Sequence, residues 1–292
     1  MVLTFAEKPY FCGMKTDNRP LLSFDRQAIG LEQVINARDL GGIPLSDGRR
    51  VKSGRLIRCG SLADASDDDV RRLEQEFHIA LDFDLRSSTE IKHNPDRAIP
   101  GVRYVPLPVL DETGIREEEK KAFKTSGQPP EFFLEICRDR DAQQFAKFMY
   151  TSLVTNEYTQ LQYSAFFNLM LAQEEGGILW HCSQGKDRTG LAAAFLLSAL
   201  GADRETVLAD YALSAVPYER EFDAICALAA RMGYGEEAVI ETARTFISVN
   251  INYFKAALDV IDTQFGGMQA YLRDILSVSD EDIATLRHRY TD

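Results

Sequence analysis

The sequence predicts an α/β fold with a mostly parallel central sheet flanked by helices, and three observations carry that expectation. Apolar runs of strand length at 56–59, 79–85, 102–109 and 178–180 are separated by stretches with helical period. Capping signals open several of those helices, as Ser66 does before Asp67-Asp68-Asp69 and Ser279 before Asp280-Glu281-Asp282. At 176–200 an apolar strand, a tight polar loop and an Ala/Leu-rich helix follow one another directly.

Taken in order, residues 1–30 show no clear period and are expected to form an N-terminal arm. Ser46-Asp47-Gly48 is a turn signal inside 43–51, which predicts a β-hairpin. A short strand follows at 56–59, and the helix capped by Ser66 is expected to run to about Phe77. Residues 79–85 read as a central strand, 87–93 as a short helix, and 102–109 as a strand interrupted by Pro106 and Pro108. The stretch 111–160 begins with a charged segment, Glu117-Glu118-Glu119-Lys120-Lys121, and is broken at Gln128-Pro129-Pro130. It reads as helices at 130–139 and 142–154, either a solvated surface insertion or a lid. Phe123, Phe132, Phe133, Phe145, Phe148, Met149 and Tyr150 would supply the apolar underside of a lid. Beyond the 189–200 helix, helical periods recur at 203–214, 218–232, 236–245, 250–265, 267–276 and 279–290, a C-terminal helical layer (203–292) on the sheet. The expectation is one domain across 1–292.

Composition narrows the function. With a net charge of -12, general nucleic-acid binding is not expected, nor is adsorption to anionic membranes. No run of apolar residues is long enough to span a bilayer, and the first ten residues lack the pattern of a secretory signal. A cytoplasmic location is therefore expected. Cysteines at 12, 59, 137, 182 and 226 form neither a disulfide framework nor a zinc pattern, and the four histidines are scattered. No metal and no cofactor is expected.

The chemistry concentrates in the loop His181-Cys182-Ser183-Gln184-Gly185-Lys186-Asp187-Arg188-Thr189-Gly190. A helix N-terminus beside a cation lowers a thiol's pKa, so Cys182 is a candidate nucleophile. Arg188 offers a planar fork for two phosphate oxygens. Gly185 would permit φ > 0 and turn its amide toward an anion. Thr189 can donate a hydroxyl hydrogen bond to the sulfur. His181 is expected to bond backbone groups behind the loop. Ser183, Gln184, Gly185, Lys186, Asp187 and Arg188 together form the candidate phosphate cradle. The plainer alternative is a buried structural thiol among turn glycines, but Gly, Arg, Thr and Gly at these spacings favour catalysis.

This loop resembles the signature of the cysteine-dependent protein tyrosine phosphatase superfamily, in its bacterial branch with Lys-Asp inside the loop. The resemblance runs over roughly 30–290 through Asn36-Ala37-Arg38-Asp39-Leu40-Gly41-Gly42, Gly54-Arg55-Leu56-Ile57-Arg58 and Asp84-Leu85-Arg86-Ser87. It continues in Asp210-Tyr211-Ala212-Leu213-Ser214 and Tyr271-Leu272-Arg273-Asp274. It implies a phosphatase (phosphotyrosine protein phosphatase II-like) fold with a helical lid insertion at 111–160, and a phosphocysteine mechanism. The implied substrates are phosphotyrosine proteins, with phosphoserine or phosphothreonine as further possibilities, or phosphoinositides.

Two residues compete as proton donor to the leaving oxygen: Asp187 inside the loop, as in the resembling branch, and Asp111 at the end of the preceding strand. Lys186 is either a reader of a second phosphate or a solvated lysine. Arg86 with Asp84, and Arg38, Asp39 and Arg58, are expected to be structural ion pairs. Cys59 reads as packing, with capping of an oxidised Cys182 as the alternative. A rhodanese-type sulfurtransferase would lack the Arg-Thr-Gly continuation, and a phosphate-binding module without turnover would lack the thiol or the arginine.

Overall fold

The computed structural model describes residues 22–110, 142–217, 231 and 249–292. The expectations for the arm before residue 22, for 111–141 with Asp111, and for the helices at 218–232 and 236–245 lie outside the described residues.

Among the described residues five strands form one sheet: β1 (Arg38–Asp39), β2 (Leu56–Cys59), β3 (Ile79–Asp84), β4 (Arg103–Pro106) and β5 (Gly177–His181), in the order β1-β2-β5-β3-β4. Only the β1–β2 pairing is antiparallel. Strand β5, which leads into the Cys182 loop, is the middle strand, with Cys59 on β2 and Asp84 on β3 both in register with His181. Every residue of β5 is buried, as a strand covered on both faces requires, and its continuous apolar run follows from that position.

Alternation along the strands divides the core. Leu56, Ile178 and Trp180 face the larger cluster, whereas Ile57, Cys59 and Leu179 face the smaller one. The smaller side is covered by α2 (Asp67–Gln75), whose Ser66 caps Asp69 reciprocally. After β3 comes the six-residue α3 (Ser88–His93), capped in the same way by Ser87 and Glu90. The larger side is filled by α4 (Ala142–Thr155), α5 (Glu157–Ala172), α6 (Asp187–Leu200), α7 (Arg204–Leu213), α8 (Ile251–Gln264) and the last helix, α9 (Asp280–Tyr290). Fully buried Ala192, Ala193 and Ala194 let α6 lie close against the sheet. Each larger apolar side chain enclosed here contributes about 1.5–3 kcal/mol.

Several elements differ from the sequence expectations. The 43–51 hairpin contracts to a single bridge, Pro44 with Arg50, closed by a turn in which Gly48 has φ 89°. The strand expected at 102–109 ends at Pro106, since Pro106 and Pro108 carry no N–H for a ladder. The helix α5 has no counterpart in the sequence expectations. Its Tyr, Phe and Thr residues have modest helix propensity, and burial of Thr159, Tyr163, Phe166, Phe167 and Met170 stabilises it instead. Residues 268–276 split into a short α-turn, Met268–Ala270, and a π-helical turn, Tyr271–Ile275. Phe148 on α4 is 63% exposed, while Tyr150 on the same helix is buried.

Candidate active site

The loop Cys182–Lys186 lies beyond the C-terminal ends of the parallel strands, where open α/β sheets bind ligands. Lys186 is the N-cap of α6 and its side chain makes no capping hydrogen bond to the first turn of that helix, a turn whose amides can face an anion. Gly185 has φ 65°, as the sequence predicts, and a Cβ there would stand 2.3 Å from the Cys59 carbonyl oxygen. Glycine is required by both conformation and contact.

A buried polar network holds the loop's carbonyls from behind. Arg58 donates to the carbonyls of Gly185 (2.8 Å) and Lys186 (3.3 Å), and Asn36 Nδ2 donates to those of Gly185 (2.8 Å) and Gln184 (3.3 Å). Ser61 N donates to the Ser183 carbonyl at 3.1 Å. Asp210 on α7 pairs with both Arg58 (2.5 Å) and Arg38 (3.1 Å). Burial pushes the Asp210 carboxyl up, and the two arginines outweigh it, leaving the group below its ordinary value. Drawing the carbonyls backward leaves the amides to face the cradle. Arg38 and Arg58 are the structural ion pairs the sequence suggests. Asp39 makes no ion pair among the described residues: its carboxylate accepts from the amides of Gly41 (2.8 Å) and Gly54 (2.7 Å).

Cys182 is 2% exposed. Burial alone would raise its pKa, but the Arg188 guanidinium, then the hydroxyl and amide of Thr189, bring the thiol below its ordinary value. Among the described residues the buried Thr189 hydroxyl meets the full hydrogen-bond geometry with no group, and it can turn its proton to the Cys182 sulfur. Arg188 is anchored on Glu90, through Nη1 to Oε2 (2.5 Å) and Nη2 to Oε1 (2.9 Å). Nη2 also donates to Ser183 Oγ at 3.2 Å, and Ser183 in turn donates to Glu90. Sequence reasoning missed Glu90. The pattern Ser87-x-x-Glu90, directly after Asp84-Leu85-Arg86, marked it as a helix cap, and it is both cap and partner of the arginine.

Asp187 opens α6 with its side chain 29% exposed. Its Oδ1 accepts from Tyr150 Oη on α4 and lies 3.2 Å from Tyr211 Oη on α7, and the two phenols are 2.5 Å apart. Burial first, then the Asp187 charge, raises both tyrosines far above the usual phenol range, so both remain proton donors. The sequence placed Tyr150 in the apolar underside of a lid and Tyr211 in a family-like motif, and gave neither a role at Asp187, because the α4 and α7 placements that bring them together are tertiary. Lys186 Nζ stands 3.7 Å from Asp187 Oδ2, and Lys186 is 2% exposed: it is not a solvated lysine.

His181 differs from expectation. Among the described residues it bonds no backbone group, and its ring nitrogens make no hydrogen bond but face Asp82 (3.4 Å), Asp96 (3.4 Å) and Asp84 (3.8 Å). Burial works against its charge, and Asp82, Asp84 and Asp96 together outweigh it, so its pKa is raised. Burial likewise raises Asp82, to about 7. Asp84, Asp96 and His181 could each offer a ligand atom within 4.8 Å of the others, a grouping that sequence spacing does not reveal. Arg86 already donates to both carboxylates, as well as to Ser61 and the Asn94 carbonyl, so a guanidinium supplies the cation there. Asp84 and Arg86 thus buttress the end of β3 as expected. Cys59 is a buried free thiol, raised by burial and packed in the smaller core cluster.

Comparison with known proteins agrees with this arrangement. A protein of Cupriavidus necator, provisionally assigned as a tyrosine-protein phosphatase, is 35% identical over 272 residues, covering 91% of this chain and 89% of its own length. The triple specificity protein phosphatase PtpB of Mycobacterium tuberculosis is 29% identical, over 77% of this chain and 86% of that protein. A tyrosine-protein phosphatase of Nostoc commune is 26% identical, over 80% and 72%. The pattern of the tyrosine phosphatase family matches residues 29–292, and this chain is a member of that family.

Proposed function

We propose that the protein hydrolyses phosphotyrosine in protein substrates through a phosphocysteine intermediate on Cys182. The observation that carries the reading is a buried thiol at the N-terminus of α6, brought below its ordinary pKa by Arg188 and by the hydroxyl and amide of Thr189. The Cys182 thiolate attacks phosphorus in line, while Arg188 and the amides of residues 183–188 take the equatorial oxygens. Asp187 protonates the departing phenoxide. Water then cleaves the phosphorus–sulfur bond, releasing phosphate and restoring the thiolate. Ser183, Gln184, Gly185 and Lys186 supply the rest of the cradle, and Thr189 stabilises the sulfur as it leaves. Residues 29–292 act as one catalytic unit.

The phosphoinositide alternative gives Lys186 the task of meeting a second phosphate. Lys186 is buried with Nζ 3.7 Å from Asp187 Oδ2, so meeting a second phosphate would require it to turn from that carboxylate. Phosphate release from a phosphotyrosine peptide and from a soluble phosphatidylinositol phosphate, side by side in reducing buffer, tests both. Cys182→Ser is the blank. Cys182-dependent release mainly from the peptide supports the proposal. Release mainly from the lipid overturns the substrate class, and equal release by Cys182→Ser overturns the mechanism.

A further inference from the structure

We propose that Tyr211 is a positioning residue for Asp187: together with Tyr150 it occupies Oδ1 and leaves Oδ2 as the oxygen that hands a proton to the departing phenoxide. This rests on the reading that Asp187 is the proton donor. Two helices meet at that one oxygen. Tyr150 on α4 donates to Asp187 Oδ1, Tyr211 on α7 lies 3.2 Å from the same atom, and the phenol oxygens are 2.5 Å apart. The pair has two hydroxyl protons and the contact between the phenols uses one, so the other goes to Oδ1 whichever tyrosine is the donor. Both phenols keep their own protons, since burial and then the Asp187 charge raise them far above the usual phenol range. A protonated carboxyl has one carbonyl oxygen and one O–H. With phenol donors turned to Oδ1, that atom is the carbonyl oxygen and the proton sits on Oδ2. The neighbour of Oδ2 is Lys186 Nζ at 3.7 Å, an ammonium that donates and never accepts. No acceptor among the described residues therefore competes with the substrate for that proton.

The Tyr211 ring is fixed on both faces. It stacks on Phe254 with ring centroids 3.9 Å apart and planes 10° from parallel, and a Cβ at Gly190 would stand 3.0 Å from its Cδ2. The glycine that follows Arg188 and Thr189 leaves room for this ring. The preceding residue, Asp210, holds Arg38 and Arg58. Two consecutive residues of α7 thus fix the back of the cradle and the acid at its rim.

The contrary possibility is that the two phenols only fill the core, and leaving-group dependence separates the two. Turnover of phenyl phosphate and of 4-nitrophenyl phosphate is measured for the native full chain, Tyr211→Phe, Tyr150→Phe, Asp187→Asn and the double variant Tyr211→Phe with Asp187→Asn. Far-UV circular dichroism checks folding. Tyr211→Phe is expected to lose about 10–100-fold in kcat/KM on phenyl phosphate. On 4-nitrophenyl phosphate, whose leaving group needs little help from an acid, it should stay near the native value. Added to Asp187→Asn, it should bring no further loss. A packing role would lower both substrates alike and would add to the Asp187→Asn loss. Either result overturns the proposal, as does native turnover of phenyl phosphate by folded Tyr211→Phe. Should Tyr211→Phe not fold, Tyr150→Phe, which breaks the same hydrogen-bond chain, decides by the same comparison. Native turnover of phenyl phosphate by Asp187→Asn overturns the proton-donor reading and this inference with it. A leaving-group-dependent loss in Asp187→Asn but in neither phenylalanine variant overturns this inference alone.

Discussion

At the scale of single residues, the site sets two effects against each other at Cys182: burial raises the thiol's pKa, and Arg188 with Thr189 lowers it further than burial lifts it. Alkylation by iodoacetamide should therefore reach half its maximal rate at a pH below that of an ordinary thiol, and Thr189→Ala should move the profile upward. An unshifted profile would remove the activated nucleophile. Asp187 and Asp111 are separated by leaving-group dependence. A general acid contributes about 10²–10⁴-fold, and its loss matters most when the leaving phenoxide is basic. Asp187→Asn should depress turnover of phenyl phosphate far more than that of an activated aryl phosphate, and Asp111→Asn should do neither; the reverse ranking would transfer the role. Tyr150→Phe should weaken turnover in the same leaving-group-dependent sense, since it removes a donor that orients Asp187. Cys182, Arg188 and Gly185 were legible in the sequence because their chemistry depends on neighbours within one loop. Glu90, Tyr150 and Tyr211 were not, because their roles depend on helices that meet the loop only after folding.

At the scale of elements, the loop is held in shape by what lies beneath it. Gly185→Ala would force a left-handed conformation, costing about 1–2 kcal/mol, and press a methyl group into the Cys59 carbonyl. The loop should shift, and oxyanion binding should be lost before global stability is. Asp210→Asn leaves Arg38 and Arg58 buried beside a neutral partner, a change expected to cost about 3–5 kcal/mol, read as a lowered chemical-denaturation midpoint. A folded variant with native stability would show that the triad is replaceable. Strand 56–59 was readable from its apolar run, and helices 67–75 and 280–290 from their capping signals. The helix 157–172 was not, because its stability comes from buried aromatic contacts such as Phe166 with Trp180 and Tyr163 with Phe195 rather than from local propensity. The mostly parallel sheet followed from strand–helix alternation, but the order β1-β2-β5-β3-β4 is a consequence of packing that no local pattern encodes.

For the molecule as a whole, the buried acids predict how stability varies with pH. Arg188 and its neighbours outweigh the effect of burial on Glu90 and hold its pKa at about 2 in the folded state, against 4.5 unperturbed. A lowered folded pKa gives stability that is present above 4.5 and lost as pH falls toward 2, roughly 3 kcal/mol from this group. Asp210 acts in the same direction. Asp82 has the opposite sign: burial raises it from 3.8 to about 7, so its contribution is full below 3.8 and lost as pH climbs to 7. The melting temperature should therefore peak on the acid side of neutrality, and Asp82→Asn should flatten the limb between pH 4 and 7. A melting temperature that keeps rising to pH 8, identical in both proteins, would contradict this assignment.

The account's central claim is that Cys182 carries phosphate during turnover. The native enzyme, mixed with excess aryl phosphate and quenched in acid within one turnover, should yield a phosphorylated peptide containing Cys182 by mass spectrometry, and Cys182→Ser should neither turn over nor release phosphate. Sustained turnover by Cys182→Ser, or phosphate release from the native enzyme with no adduct on that peptide, would contradict it.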